Sequence, residues 1–263
     1  MNYTLFNPLS KNGSLYQDNT NNYIDTTNNY LMNKLEQTIK INDTLTIIGG
    51  DGTLQYLVNH YPFILKYQIF YHKSGSGNDL YSALNQKGIY YYGINETNFL
   101  NSFGIGFDAI VCDNVNKAQN KGKLSYIKEA FLGIKNYKPF DLEVEYNNER
   151  HSYKNVWLCS LQNGNYFGGG LKIAKDANPH DKEIDLCIAH DVGRFMVLII
   201  LLFVKLGKVH LFKKYFLSLK VSDLKIYLKE ERLAQFDGNT LVLNNTQTLK
   251  NKGHIDLEKT NIN

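Results

Sequence analysis

Cysteine is scarce. Cys112, Cys159 and Cys187 are odd in number and far apart in a chain of 263 residues. They make neither a disulfide framework nor a paired-cysteine metal site. Each lies in an apolar run and reads as a buried free thiol, which suggests a reducing compartment. Proline is nearly as rare, with four residues, and 20 glycines do not make the chain collagen-like or low-complexity. A surplus of one charge is also missing: 29 basic and 25 acidic residues leave +4. That permits an anionic ligand or an anionic membrane surface and does not point to nucleic acid. Seven scattered histidines form no H-x-x-x-H pair, which argues against zinc. The most apolar run, Phe195 to Val204, is about half the ~20 residues that span a bilayer. The N-terminus has no basic region followed by an apolar stretch, so no signal peptide is expected and the chain reads as cytoplasmic.

What is present is a globular composition, 43% hydrophobic and 21% charged. In the first third, strands alternate with helices. Tyr3–Phe6 reads as a strand that breaks at Asn7-Pro8. Tyr30–Ile41 reads as a helix and Thr44–Ile48 as a buried β-branched strand. Leu54, Leu57 and Val58 recur at helical spacing, Lys66–Tyr71 reads as another strand, and Asp79–Leu84 starts a helix. Such alternation is the signature of a parallel α/β sheet. The rest reads as short strands at Ile89–Ile94, Phe99–Ile105, Phe140–Tyr146, Val156–Gln162, Ile184–His190, Lys220–Leu228 and Thr240–Leu243. Helical patterns at Ser125–Asn136 and Phe195–Phe216 interrupt them. An antiparallel second domain follows from that pattern. The boundaries expected are an α/β domain over 1–93, a β-sandwich domain over 94–244, and a tail from about 245 to 263 that packs back on the first.

The sharpest local signal is Gly49-Gly50-Asp51-Gly52-Thr53, which closes a buried strand and opens a helix. Glycines let the backbone approach a ligand, and free N–H groups at a helix start make an anion site. A carboxylate there has a use in holding Mg²⁺ or in taking a proton from an attacking hydroxyl. Lys73-Ser74-Gly75-Ser76-Gly77-Asn78-Asp79 ends the next strand in the same manner, and Asn7-Pro8-Leu9-Ser10-Lys11-Asn12-Gly13 ends the first. Three such loops would line one edge of one sheet, where α/β folds bind ligands. No G-x-x-x-x-G-K-[ST] is present, so this is not a P-loop protein.

This ordered set resembles the catalytic domain of the diacylglycerol kinase family, in particular its soluble bacterial lipid kinases. The likeness continues through Asn101-Ser102-Phe103-Gly104-Ile105-Gly106-Phe107-Asp108-Ala109, Asn163-Gly164 with Gly168-Gly169-Gly170, the Ala177–Asp181–Ile184-Asp185-Leu186 spacing, and Asp237-Gly238. The resemblance implies an α/β nucleotide domain, a β-sandwich lipid domain and a cleft between them. It implies ATP and Mg²⁺ as cofactors and transfer of a phosphoryl group to a lipid hydroxyl. The nucleotide site would fall on Asn7, Pro8, Ser10, Gly49, Gly50, Asp51, Gly52, Thr53, Ser76 and Asn78. A structural Mg²⁺ would fall on the Asn178 and Glu183 carbonyls and the Asp181 carboxylate. Lys73, Lys175 and Lys182 depart from the family pattern, and Asn239 stands where the family carries a Glu proposed as catalytic base. An amide cannot accept a hydroxyl proton, so Asp51 and Asp237 become the candidate catalytic carboxylates, and low turnover is expected. A catalytically silent lipid- or nucleotide-binding relative, or another kinase with the same glycine turn such as an NAD kinase, is the alternative. The partners expected are a lipid substrate and an anionic membrane surface, contacted peripherally beside the basic residues that flank Phe195–Val204. A homodimer stays open.

Overall fold

The computed structural model describes residues 1–10, 15, 22–75, 77–117 and 132–260. The strand Thr44–Gly49 (β3) is buried at every residue after the first, as a strand covered on both faces must be. It pairs in parallel with Asn2–Phe6 (β1) on one side and Gln68–Lys73 (β4) on the other. Tyr23–Asp25 (β2) adds beyond β1, and Leu257–Lys259 (β17) adds beyond β4, both in parallel. The five strands lie in the order β17-β4-β3-β1-β2. Helices Asn29–Thr38 (α1), Asp51–His60 (α2) and Asp79–Ala83 (α3) follow β2, β3 and β4. The Asn28 side chain caps α1 by accepting from the Leu31 N–H, a contact worth about 1 kcal/mol. Met32 and Leu35, three apart and so on one face, bury it against the sheet.

The remaining strands are antiparallel and form two six-stranded sheets. One contains Ser102–Gly106 (β7), Leu158–Gln162 (β10), Ile184–Ala189 (β11), Phe216–Val221 (β12), Arg232–Phe236 (β14) and Asn239–Leu243 (β15), in the order β12-β11-β10-β7-β14-β15. The other contains Ile89–Ile94 (β5), Thr97–Phe99 (β6), Phe140–Tyr146 (β8), Glu149–Val156 (β9), Lys225–Tyr227 (β13) and Thr246–Ile255 (β16), in the order β6-β5-β16-β13-β8-β9. Phe103, Leu161, Leu186 and Phe236 of the first sheet pack with Tyr92, Phe99, Val144 and Ile226 of the second in one apolar cluster. That is a β-sandwich core, and the expected combination of a parallel α/β layer with an antiparallel sandwich is observed.

A third cluster covers the outer face of the first antiparallel sheet. Helix Phe107–Lys117 (α4), helix Arg194–Lys205 (α5) and Trp157 build it. Trp157 is buried, and its indole N–H donates to the Val192 carbonyl. The helix expected over Phe195–Phe216 is shorter than that. Gly207 takes φ of +67° just past its end, and only a single 3₁₀ turn, Val209–Phe212, follows. A left-handed glycine is a usual helix stop. Phe99–Ile105 is two strands rather than one, because the chain turns at Leu100-Asn101. Of the helix expected over Ser125–Asn136, residues 132–136 are helical and the rest lie outside the described residues.

Candidate functional site

The three polar loops leave the carboxyl ends of β1, β3 and β4, which are neighbours and parallel, so they meet on one edge of the sheet. Their contact is made of backbone. The Asp51 N–H donates to the Gly77 carbonyl at 3.0 Å and the Ser74 N–H to the Gly49 carbonyl at 2.7 Å. A Cβ on Gly50 would lie 2.9 Å from the Gly77 carbonyl oxygen, and one on Gly75 would run into the Gly50 backbone. These two glycines therefore exist because one loop lies directly on the other. Gly52 and Gly77 have no such reason, since a Cβ on either would meet nothing within 4 Å. They keep open space at the start of α2, where the positive end of the helix dipole favours an anion.

Asn7 ties the first loop to the second, its Nδ2 donating to Thr53 Oγ1 at 3.1 Å. Its own carbonyl accepts from the Ser10 N–H and hydroxyl. Asn78 donates to the Gly75 carbonyl at 2.8 Å. Asn7, Ser10, Gly50, Asp51, Gly52 and Thr53 all line one cavity of about 460 Å³, whereas Pro8, Gly49 and Asn78 stand behind it. Ser76 and Lys11–Gly13 lie outside the described residues.

The β-sandwich closes the opposite side of this cavity. Asp237 and Gly238 form the two-residue loop between β14 and β15, both at positive φ (47° and 92°), as a tight hairpin requires. The Asp237 carboxylate accepts the backbone N–H groups of Leu100, Asn101 and Ser102 at 2.6, 2.9 and 2.7 Å. It thus holds the turn between β6 and β7. Burial pushes its carboxyl up to about 6 against the pull of those three donors. Asp51 is also engaged, by the Tyr71 hydroxyl at 3.1 Å and the Leu80 N–H at 3.0 Å. Burial first, and the Asp79 charge second, push it up to about 7. Asp79 accepts the Gly169 N–H at 2.8 Å and so joins α3 to the triple-glycine turn of the sandwich. Asn239 Nδ2 donates to Gln55 Oε1 at 2.7 Å, reaching across to α2.

Two further carboxylates line the cavity, Asp79 and Asp108, to which the sequence pattern alone assigns no role. Asp108 is the second residue of α4 and lines the cavity beside Gln235. Its Oδ2 lies 3.4 Å from Gln235 Nε2, and its Oδ1 is buried with no hydrogen-bond partner. It packs onto Gly104, where any Cβ would overlap the carboxylate. Burial pushes the Asp108 carboxyl up to about 7. A signal was present: an acid one residue inside a helix that follows a buried glycine strand. It stands in the Gly104–Ala109 segment, at the step from the glycine strand into α4.

Past Asp108 the cavity turns apolar. Phe107, Val111, Trp157, Ile173, Ile200 and Phe216 are among its walls. One continuous space therefore joins the glycine loops, a partly unsatisfied carboxylate and a greasy chamber beneath α5.

The residues expected to hold a structural Mg²⁺ are elsewhere, at the edge of the sandwich. Asp181 Oδ2 receives the Lys220 ammonium at 2.7 Å, and Glu183 Oε2 lies 3.2 Å from the same nitrogen. Asp181 Oδ1 accepts the Glu183 N–H, and the Asn178 carbonyl accepts the Asp181 N–H. The Lys220 ammonium is thus paired with both expected acidic residues. Among the described residues no group of three or more His, Cys, Asp or Glu side chains is arranged to hold a metal.

Comparison with known proteins adds independent observations. Residues 101–247 match the family model of the YegS C-terminal NAD kinase beta sandwich-like domain. YtlR of Bacillus subtilis (strain 168), provisionally named a lipid kinase, is 24% identical over 232 residues, which are 75% of this chain and 74% of that protein. A protein of Staphylococcus carnosus (strain TM300) with the same provisional name is 30% identical over 165 residues, 56% of this chain and 54% of its own length. A solved structure from Bacillus anthracis str. Sterne, provisionally described as a diacylglycerol kinase, superposes with a TM-score of 0.74 at 18% identity, over 98% of this chain and 97% of that one. At that identity the superposition establishes the fold.

Proposed function

Because the chain belongs to the diacylglycerol kinase-like lipid kinase family, we propose that it transfers the γ-phosphoryl group of ATP to the hydroxyl of a membrane lipid such as diacylglycerol. The observation that carries this reading is the single cavity, polar and glycine-lined at one end and apolar at the other. Such a space suits an anionic phosphate chain meeting a greasy acceptor.

The roles follow from the geometry. The N–H groups at the start of α2 and the open backbone at Gly52 and Gly77 receive the phosphates. Asn7 and Ser10 close the nucleotide side. Phosphoryl transfer is governed by positioning and charge stabilisation, and the rigid backbone contact between the Gly50 and Gly75 loops supplies the first. Asp108 takes the proton from the lipid hydroxyl. Asp108 lines the cavity between its polar and apolar ends, and a carboxyl pushed up to about 7 by burial suits a general base. Asp237 keeps the Leu100–Ser102 turn in register beside it. Asp51 and Asp79 are hard oxygen donors whose charges oppose each other, and that pair would hold the Mg²⁺ that accompanies ATP. The ion supplies neutralisation of phosphate charge.

No helix among the described residues is long and apolar enough to cross a membrane. A lipid substrate then requires peripheral contact with the bilayer from the cytoplasmic side. The test is transfer from γ-labelled ATP across a panel of hydroxyl-bearing lipids in mixed micelles, with NAD as the comparison acceptor. Label in a lipid product supports the reading. Label in NAD alone, or in nothing while ATP still binds, replaces it with an NAD kinase or a silent binding relative.

A further inference from the structure

Helix α5 is apolar on every side, yet only one of its sides is buried among the described residues. Val197, Ile200 and Val204, at helical spacing, are buried and line the cavity. On the opposite stripe Phe195 is 75% exposed, Leu202 58% and Leu206 64%, and Leu211 in the following turn is 61% exposed. Between Arg194 and Lys205 the helix carries no polar residue at all. A surface helix ordinarily turns charged or polar residues to water, and one that is apolar all round needs a second apolar medium. Twelve residues reach about 18 Å, well short of the ~30 Å hydrocarbon core of a bilayer. The helix can lie in a bilayer surface and cannot cross it.

The charges around the stripe say which medium. From Val192 to Ser222 the sequence holds Arg194, Lys205, Lys208, Lys213, Lys214 and Lys220 and not one Asp or Glu. Lys205, Lys208, Lys213 and Lys214 are exposed and sit at the C-terminal end of the same apolar stripe. An exposed apolar stripe bordered by lysines is the composition of interfacial helices that bind anionic lipid.

Resting on the lipid kinase reading above, we propose that the outer face of α5 and the Val209–Phe212 turn is the bilayer-docking surface, that its occupant is an anionic membrane, and that α5 is the door through which the lipid enters. The continuity of the helix supports the last step: its inner face is a wall of the cavity whose outer face meets the membrane. A lipid leaving the bilayer past this helix reaches the apolar chamber without crossing water.

The test uses the full chain, no ATP and vesicles without any acceptor lipid. Co-sedimentation is measured with phosphatidylcholine vesicles and with vesicles containing phosphatidylglycerol, at low and high salt. The wild type is expected to bind the anionic vesicles and to lose binding as salt rises. The double variant Phe195→Ser/Leu202→Ser, and separately Lys213→Gln/Lys214→Gln, should each lower the partition coefficient at least tenfold. Val242→Ser, on an exposed apolar residue of β15, should not. Thermal melts confirm that each variant is folded, which is expected because the substituted side chains are exposed. Failure of the wild type to bind anionic vesicles, or unchanged binding of the Phe195/Leu202 variant, overturns the proposal. So does a lipid-free dimer in analytical ultracentrifugation that the same variant dissolves, because the stripe would then cover a second copy. Vesicle binding without lipid phosphorylation leaves the docking surface standing and removes the kinase reading. Phosphorylation of a micellar lipid without vesicle binding does the reverse.

Discussion

Asn239 of the sandwich and Gln55 of the α/β layer face each other as two amides, Nδ2 to Oε1 at 2.7 Å. They bridge the cleft with a neutral hydrogen bond at the position where relatives of the family are expected to carry a carboxylate. The bridge holds α2, and with it the N-terminus proposed to receive phosphate, against β15.

Replacing Asn239 with Glu tests whether that amide limits the reaction. Gln55 can turn its own amide to donate, so the bridge survives with a charged acceptor. If Asp108 is the proton acceptor, Asn239→Glu changes kcat by less than about tenfold. A larger rise, measured on the best lipid found, would move the base to position 239.

Asp108→Asn and Asp237→Asn should fail in different ways. The first is expected to lower kcat by about 10²–10⁴ and to remove an acid limb near pH 7 from the pH profile. Its stability should move the other way. The folded carboxyl titrates well above its unfolded value of 3.8, so ionisation stabilises the unfolded chain as pH rises from about 4 to 7. That cost is fully present at pH 8. Removing the charge should therefore raise stability at pH 8 by up to about 4 kcal/mol and leave it nearly unchanged at pH 4. Asp237 is also pushed up, to about 6, so Asp237→Asn shares part of that relief at pH 8, but its NH₂ among three backbone N–H donors should cost about 1–3 kcal/mol at pH 4, without moving the pH limb. Urea melts at the two pH values, beside kcat against pH, separate the roles.

The glycines of the phosphate loop divide in the same way. Gly50→Ala forces a methyl against the Gly77 carbonyl and should cost about 1–3 kcal/mol of stability. Gly52→Ala meets open space and should melt like the wild type. Its ATP affinity should fall about tenfold, or roughly 1.4 kcal/mol, because the methyl projects where phosphate belongs. Equal melting of the two variants would contradict the loop-on-loop contact.

Lys220 provides a metal test. Asp181 and Glu183 share its ammonium, so EDTA should not shift the wild-type melting temperature. Lys220→Met leaves two partly exposed carboxylates beside each other and should cost less than about 1 kcal/mol. Added millimolar Mg²⁺ should recover that loss in the variant alone. A wild-type melt that depends on EDTA would place a divalent ion at Asp181 after all.

The parallel layer was legible because a buried parallel strand is written as a β-branched run, as Thr44–Ile48 is, whereas Lys66–Tyr71 has only Ile69 of that kind and its strand is displaced to Gln68–Lys73. The three loops were legible because Gly49–Thr53, Gly75–Asn78 and Asn7–Ser10 stand where strands end. Other elements carry weaker marks. Residues 149–156 hold only Val156 and Tyr153 of strong β-formers, and the pairing of β9 with β8 comes from partner strands the local pattern cannot see. Asp237 was singled out as an acid near the cleft, but its three N–H donors come from residues 100–102, far away in sequence. Asp108 was hidden for a related reason. What gives it an unsatisfied oxygen and a raised carboxyl is enclosure by Gln235, Gly104 and the cavity wall, and burial by distant residues leaves no local signature.

The five-stranded sheet also imposes an order of events on a growing chain. Its edge strand Leu257–Lys259 pairs with Ile69–Tyr71, so the strand that leads into the second glycine loop gains its outer neighbour only when residues 257–259 emerge. The α/β layer cannot finish ahead of the sandwich, as an independent N-terminal domain would during synthesis. Until then the Ile69 edge has open hydrogen-bonding groups and invites a wrong strand. A purified chain truncated after residue 255 should accordingly be cut by protease near residues 68–73, and one that includes residues 257–259 should not. The proposed phosphate site is in this sense sealed only after residues 257–259 have been made.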